Sequence, residues 1–299
     1  MKTSKFTLLR IVLISVIGIL ILVACEDPVP NDYRPQIAVQ AFLFVDEPVR
    51  DIRLYMTQPL NDSFNVDKAT IKNATAYLTS GSDVIPLRFV ADSVGGVYEA
   101  VDQSILIEPQ KTYTLTVEYD GMTVQGTTTT PPRISWINPP TDTLTYPSQD
   151  SLLIAVDSLT LRWTSTGLSG QEYVIALKCL DTLNYGVYLN PPTEDTNKRV
   201  NEEDVDRRQN FRTETTRYGW SIATAVPTVW NAFKWYGRHT IEVQAADKYY
   251  SSWFKQTNWS GGSPSYDYRL SNISGGLGTV GSAYRLAHGV FLKMRPPAP

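Results

Sequence analysis

The chain has 299 residues, with 27 Lys and Arg against 30 Asp and Glu, a net charge of −3 that offers no basic face to a phosphate backbone and counts against nucleic acid as a partner. It exceeds a typical single domain of about 100 to 150 residues, so two domains are expected. Two cysteines and two histidines leave little material for thiolate or imidazole chemistry.

The N-terminal stretch carries Lys2, Lys5 and Arg10 without an acidic residue, and thirteen almost wholly apolar residues follow from Ile11 to Val23. A spanning helix wants about 20 apolar residues, whereas Cys25-Glu-Asp-Pro28 ends this run abruptly, so the pattern is that of a cleavable signal peptide over residues 1–24. The segment Leu22-Val23-Ala24-Cys25 resembles the lipobox of bacterial lipoproteins, with Leu22, Val23 and Ala24 as the peptidase recognition residues and Cys25 as the lipidated first residue. Removing three basic residues and no acidic one with the signal takes the net charge from −3 to −6. The expected product is held on a membrane by its lipid anchor, without a spanning segment. Lipidation of Cys25 also leaves only Cys179, which permits no intrachain disulfide and no thiolate metal cluster.

Residues 25–35 form a polar, proline-bearing tether. From residue 36 the sequence reads as all-β. Short runs rich in Val, Ile, Thr and aromatics predict strands at Ile37–Val45, Asp51–Thr57, Ala74–Thr79, Ile85–Val90 and Val97–Ala100. Between Thr112 and Thr129, strict alternation around Asp120-Gly121 predicts a β-hairpin with a type I′ turn. Seven strands in this space suit an immunoglobulin-like sandwich over residues 36–132.

Pro131-Pro132 and Pro139-Pro140 place a boundary near Pro132, followed by a second sandwich over residues 133–299. Its segments Leu159–Trp163, Tyr173–Leu180 and His239–Ala245 resemble the B, C and F strands of fibronectin type III domains. Trp163 is then the core tryptophan, Ile241, Val243 and Ala245 face inward, and His239 replaces the F-strand tyrosine of that family. An insertion from Leu183 to Tyr236 is expected to hold a short helix and further strands, because a structureless loop of that length is unusual inside a domain.

Chemical motifs are sparse. Gly276-Leu-Gly-Thr-Val-Gly281 has the letters of a dinucleotide fingerprint but neither the strand–helix context nor the later acidic residue, and its glycines read as turn-formers between edge strands. His239 and His288 read as packed or capping residues, and Cys179, on an alternating strand, as a buried inert thiol. The carboxylates Glu202, Glu203, Asp204 and Asp206 lack calcium-loop spacing and abut Arg207 and Arg208, the mark of a solvated, self-compensating turn. No metal, no cofactor and no catalytic residue is expected, and the protein is not expected to be an enzyme. The aromatic concentration at Tyr249, Tyr250, Trp253, Phe254 and Trp259 admits two readings, sandwich core or recognition surface. On the second, Trp253 and Trp259 join Trp230 and Trp235 in a ligand or partner surface.

The order of Ile37-Ala-Val-Gln-Ala-Phe-Leu43, Ile71-Lys-Asn-Ala-Thr-Ala-Tyr-Leu78, Gly95-Gly-Val-Tyr98, Tyr113-Thr-Leu-Thr-Val117 and Ser271-Asn-Ile-Ser-Gly-Gly-Leu-Gly278, after the lipobox, resembles a family of uncharacterised lipoproteins from Bacteroidota. That family is a domain of unknown function often encoded beside TonB-dependent outer-membrane receptors. Val280 stands where its members usually carry phenylalanine. The resemblance implies a lipid-anchored protein of the outer membrane, surface-exposed or periplasm-facing, that assists a TonB-dependent receptor in ligand capture or uptake. Glu26 and Asp27 resemble the acidic signals that export such lipoproteins to the outer face, with a merely solubilising tether as the alternative. The competing functions are a structural or adhesive surface protein and a hydrolase with its site in the insertion.

Overall fold

The alternating segments become strands in the computed structural model, which describes residues 33–59, 62–146, 160–181, 216–227, 230–233, 235–258 and 271–293. The signal segment, Cys25, Glu26, Asp27, the charged stretch Asn201–Arg208 and Trp259 lie outside the described residues. The chain divides into two compact units, Met1–Pro35 with Pro59–Asp62, and Gln36–Gln58 with Ser63–Pro299. The second holds every strand described.

Its first half comprises β1 (Ile37–Phe44), β2 (Asp51–Met56), a one-turn helix α1 (Val66–Ala69), β3 (Thr75–Ser80), β4 (Asp83–Val90), β5 (Val97–Ala100), β6 (Thr112–Tyr119) and β7 (Met122–Thr129). The predicted strands fall on these within two residues at either end. Asp120 and Gly121 have φ of 49° and 73°, the left-handed pair that a type I′ hairpin turn requires. β4 changes partner midway: Asp83 to Pro86 pair with β3, and Leu87 to Val90 with β5. It thereby carries the chain between two sheet faces. Ile37, Val39, Ile52 and Leu54 from one face meet Leu78, Leu115, Val117 and Val124 from the other in a first core.

The second half comprises β8 (Trp136–Asn138), β9 (Thr143–Thr145), β10 (Thr160–Trp163), β11 (Glu172–Cys179), β12 (Thr216–Ser221), β13 (Ala225–Pro227), β14 (Gly237–Ala246), helix α2 (Lys248–Asn258), β15 (Ile273–Ser274) and β16 (Leu277–Lys293). The described part of the expected insertion holds β12, β13 and a 3-10 turn at Trp230–Ala232. Trp163, Tyr173, Ile241, Val243 and Ala245 are buried together in a second core, with the Trp163 and Tyr173 rings edge to face at 5.3 Å. The inward set expected from the fibronectin-like pattern is therefore the set found inside.

Among the described residues a 13-stranded sheet runs β12-β11-β14-β16-β1-β2-β5-β4-β3-β6-β7-β15, with β9 also paired to β16, and β13-β10-β8 form a smaller sheet. β16 is its spine. Leu277 to Ala283 pair in parallel with β1, and Ala283 to Leu292 pair antiparallel with β14, so one strand serves the first core through Val280 and the second through Val290 and Leu292. The strand lies in the C-terminal part of the chain and still contributes Val280 to the first core.

Of the glycines of Gly276–Gly281, Gly276 lies in the bend that joins edge strand β15 to β16, as expected of a turn-former, whereas Gly278 and Gly281 lie within β16 itself. A Cβ on Gly276 would stand 2.4 Å from the Ile37 carbonyl oxygen, so the close approach of β1 requires glycine there.

Candidate functional site

A cavity of about 410 Å³ lies apart, against Ser80, Ile85, Ile105 and Tyr113, and helix α2 borders two others. Sequence reasoning placed its residues after an F strand without expecting a helix, yet the signals are local. Asp247 caps the N-terminus, its Oδ1 accepting the Tyr250 N–H at 2.7 Å, and a carboxylate there also complements the helix dipole. Tyr250 and Phe254, four residues apart, are buried on the sheet-facing side, and Trp253 is half-buried beside them. They land on β1: the Phe42 ring lies 5.1 Å from Tyr250 and 4.5 Å from Trp253, and Phe44 lies 5.9 Å from Tyr250. This explains the unbroken burial from Ala41 to Val45, since that end of β1 is covered on both faces. Gly281 makes the seat, because a Cβ there would stand 2.7 Å from the Tyr250 nitrogen.

One flank of α2 faces a cavity of about 500 Å³, walled by Thr129–Pro131, by the loop Leu168–Glu172 and by Lys248, Ser251 and Lys255. The Glu172 carboxylate accepts from both the Ser251 hydroxyl and the Lys255 ammonium. Gln171 fastens the loop by donating to the carbonyls of Glu172 at 2.6 Å and Ala246 at 2.7 Å. At the back, Thr128 donates to Asp247 Oδ2 at 2.5 Å, and Ser282 lies 2.7 Å from the Thr128 hydroxyl. The single Thr128 proton goes to the carboxylate, so Ser282 is the donor between the two hydroxyls, with the Thr129 carbonyl at 3.2 Å as its alternative acceptor. Burial holds Asp247 above the ordinary carboxylate value, against the downward pull of Thr128 and of backbone amides.

The other flank faces an aromatic pocket of about 220 Å³. Phe42, Phe44, Tyr250 and Trp253 supply its rings, and Gln40, Gln244, Lys178 and Arg285 its polar edge. Tyr250 donates to Gln244 Oε1 at 2.7 Å, Gln244 donates to Glu242 at 3.0 Å, and Lys178 donates to Glu242 at 2.6 Å. The Arg285 guanidinium lies 3.2 Å over the Phe44 ring while its Nη1 meets Glu47 at 3.2 Å. Such a pocket stacks a ring or apolar body and hydrogen-bonds its edge.

Of the four tryptophans expected to share a surface, three are described, and they do not lie together on one. Trp230 and Trp235 are 5% and 4% exposed, core residues of the second half, with Trp230 packed against Tyr146 and Phe233. Aromatic indole faces filled the interior there, so neither contributes to a contact surface. Trp253 lies at the aromatic pocket, and Trp259 is outside the described residues. His239 is buried with Nδ1 2.9 Å from the Gly237 carbonyl, which fixes the proton on Nδ1 and leaves Nε2 enclosed, without a partner among the described residues, beside Phe233. Burial pushes this imidazole below its ordinary value. His288 is half-buried, with Nε2 3.0 Å from the Asp142 carboxylate. Sequence reasoning missed Phe42, Phe44, Glu172, Lys255 and Arg285. The first two sit in a five-residue apolar run, the one local hint of double-sided burial.

Among the described residues, an extended sheet with a smaller one beside it, three buried clusters and a helix of eleven residues seated on the larger sheet define a predominantly β protein with a cavity on either side of that helix. The chain belongs to the family described as domain of unknown function (DUF4249), which matches residues 26–285. No curated protein matches the chain.

Proposed function

We propose that the protein is a lipid-anchored binding lipoprotein of the outer membrane that holds a ligand beside α2 and assists a TonB-dependent receptor in its capture or uptake. The observation that carries this reading is Leu22-Val23-Ala24-Cys25 closing a thirteen-residue apolar run, with the family match starting at Glu26 immediately behind it. Two cavities flanking one helix supply the binding half of the reading. The two cores correspond on this proposal to two immunoglobulin- or fibronectin-III-like sandwiches sharing β16, and no catalytic step is assigned.

Growth with an alkyne fatty acid tests the anchor: the wild-type chain takes up the label and fractionates with the outer membrane, and Cys25→Ala does neither. Affinity purification from solubilised outer membranes then recovers a TonB-dependent receptor; repeated recovery of the lipoprotein alone defeats the accessory role. The structural or adhesive alternative draws on β16, which ties both cores to one strand. Deleting the gene would then alter attachment and leave uptake unchanged.

A further inference from the structure

Four large apolar side chains stand in solvent at one end of the first core: Phe64 is 69% exposed, Val94 57%, and Val66 and Val90 36% each. They flank one another in the fold, on the β4–β5 turn and around α1. The Val66 side chain lies 3.2 Å from where a Gly95 Cβ would stand, which puts Val94 beside it, and Val90 pairs with Val97 at the base of the same turn. Phe64 immediately precedes Asn65, the residue that caps α1 by accepting the Lys68 N–H at 3.0 Å. First-turn positions are free to face the solvent, but an isolated soluble domain gains nothing from exposing a phenylalanine and three valines together.

The patch is at the end of the sheet where the chain enters from its tether. Gln36 and Thr57 bond to each other through backbone and hydroxyl, at 3.0 Å each way. Gln58 then grips Asn65 by two hydrogen bonds of 3.0 and 3.1 Å, and Tyr55 pairs with Thr70 at the far side of α1. A short chain of bonded residues therefore links the first residue of the strand unit to Phe64. The eleven residue-to-residue steps from Cys25 to Gln36 span at most about 40 Å, so a lipid on Cys25 keeps this end within reach of the bilayer.

We propose that Phe64, Val66, Val90 and Val94 form a membrane-contacting rim that seats in the lipid headgroup layer and sets how the protein stands on the bilayer. The proposal rests on the lipid-anchored reading. It follows that β1 rises from the membrane at Ile37 toward Phe44, about 23 Å further on at 3.3 Å per residue. β16 runs parallel to it, so the aromatic pocket and the second core point away from the lipid, toward whatever ligand arrives from the medium.

The test uses the acylated full chain with a nitrobenzoxadiazole probe on single cysteines at Phe64→Cys, Val94→Cys, Ile137→Cys or Ile222→Cys, the last two sites being 65% and 73% exposed. The buried Cys179 does not compete for the probe. On vesicles of phosphatidylethanolamine and phosphatidylglycerol, with no other protein present, probes at 64 and 94 shift to the blue and are quenched by spin-labelled lipid, while those at 137 and 222 stay unchanged. Co-flotation with the vesicles while 64 and 94 remain in water overturns the rim and leaves the anchor standing. All four sites shifting alike means unspecific adsorption and also overturns it. Failure of the chain to acquire a lipid defeats the anchor reading instead. Adding the labelled chain made unlipidated by Cys25→Ala, so that the introduced cysteine is the accessible thiol, to the same vesicles then judges the rim alone: a shift confined to 64 and 94 supports it, and none overturns it.

Discussion

Gly278 and Val39 are paired across the parallel β1–β16 ladder, so closely that a Cβ on Gly278 would stand 1.9 Å from the Val39 carbonyl oxygen. The contact is with backbone, which cannot swing aside, and Gly278 has φ of +114°, a conformation that side chains disfavour. Gly278→Ala is therefore expected to cost about 3 kcal/mol or more, from overpacking and strained backbone together. Gly289 on the same strand has open space where its Cβ would go, so Gly289→Ala should lie within about 0.5 kcal/mol of wild type. Urea unfolding midpoints of the two variants make the comparison, and equal midpoints would contradict it.

A second expectation concerns Tyr98, buried at the start of the first core. Its hydroxyl donates to the Ile71 carbonyl at 3.0 Å and accepts the Ala74 N–H at 2.9 Å, tying β5 to the segment leading into β3. Tyr98→Phe keeps the ring and leaves both backbone groups without that partner. The expected loss is about 2 kcal/mol, read from chemical denaturation with an unchanged far-ultraviolet spectrum. A neutral result would mean that water reaches these groups.

These two contacts mark what the sequence could and could not disclose. Period-two alternation and Asp120-Gly121 reveal the β6–β7 hairpin because everything that shapes it lies within eighteen residues. The β1–β16 pairing joins residues some 240 positions apart, and the only trace is a glycine spacing that fits turns equally well. Trp230 and Trp235 show a second limit: aromatic rings suit a core and a recognition surface alike, and only the fold decides. Helix α2 was legible in principle, since Asp247 stands three residues before Tyr250 and Tyr250 four before Phe254, but a strand-dominated context drew attention to their aromaticity instead of their spacing.

Cys179 offers a check on how far the described thiol is from reactive. Burial, with the nearby Asp181 carboxylate adding to it, pushes the thiol up to about 11. At pH 8 only about one part in a thousand is thiolate, and the group is enclosed between β11 and β14. Iodoacetamide labelling of the folded protein at that pH should be slow and should accelerate with urea in step with unfolding. Rapid labelling without denaturant would show that the β11–β14 end opens locally.

The most informative pH experiment centres on Asp247. Its folded carboxyl is raised above the ordinary 3.8, so the folded state binds the proton more tightly than the unfolded chain does. Stability from this group is full at low pH and is lost as pH rises from about 3.8 through the raised value, the reverse of a salt-bridged carboxylate. His239 acts oppositely: its lowered imidazole contributes stability above 6.5 that is lost as pH falls through its depressed folded value. Asp247→Asn keeps an oxygen for the Tyr250 N–H, can still bond Thr128, and removes the buried charge. It is expected to match or exceed wild-type stability at pH 7 and to abolish the decline above pH 4. Asp247→Ala also removes the charge but loses the cap, at a cost of about 1 kcal/mol. Melting temperatures of all three proteins between pH 4 and pH 7 separate the effects. If Asp247→Asn is markedly less stable than wild type across that range, the carboxylate is held by a charge–charge interaction stronger than its burial, and the cleft behind α2 would have to be redrawn around it.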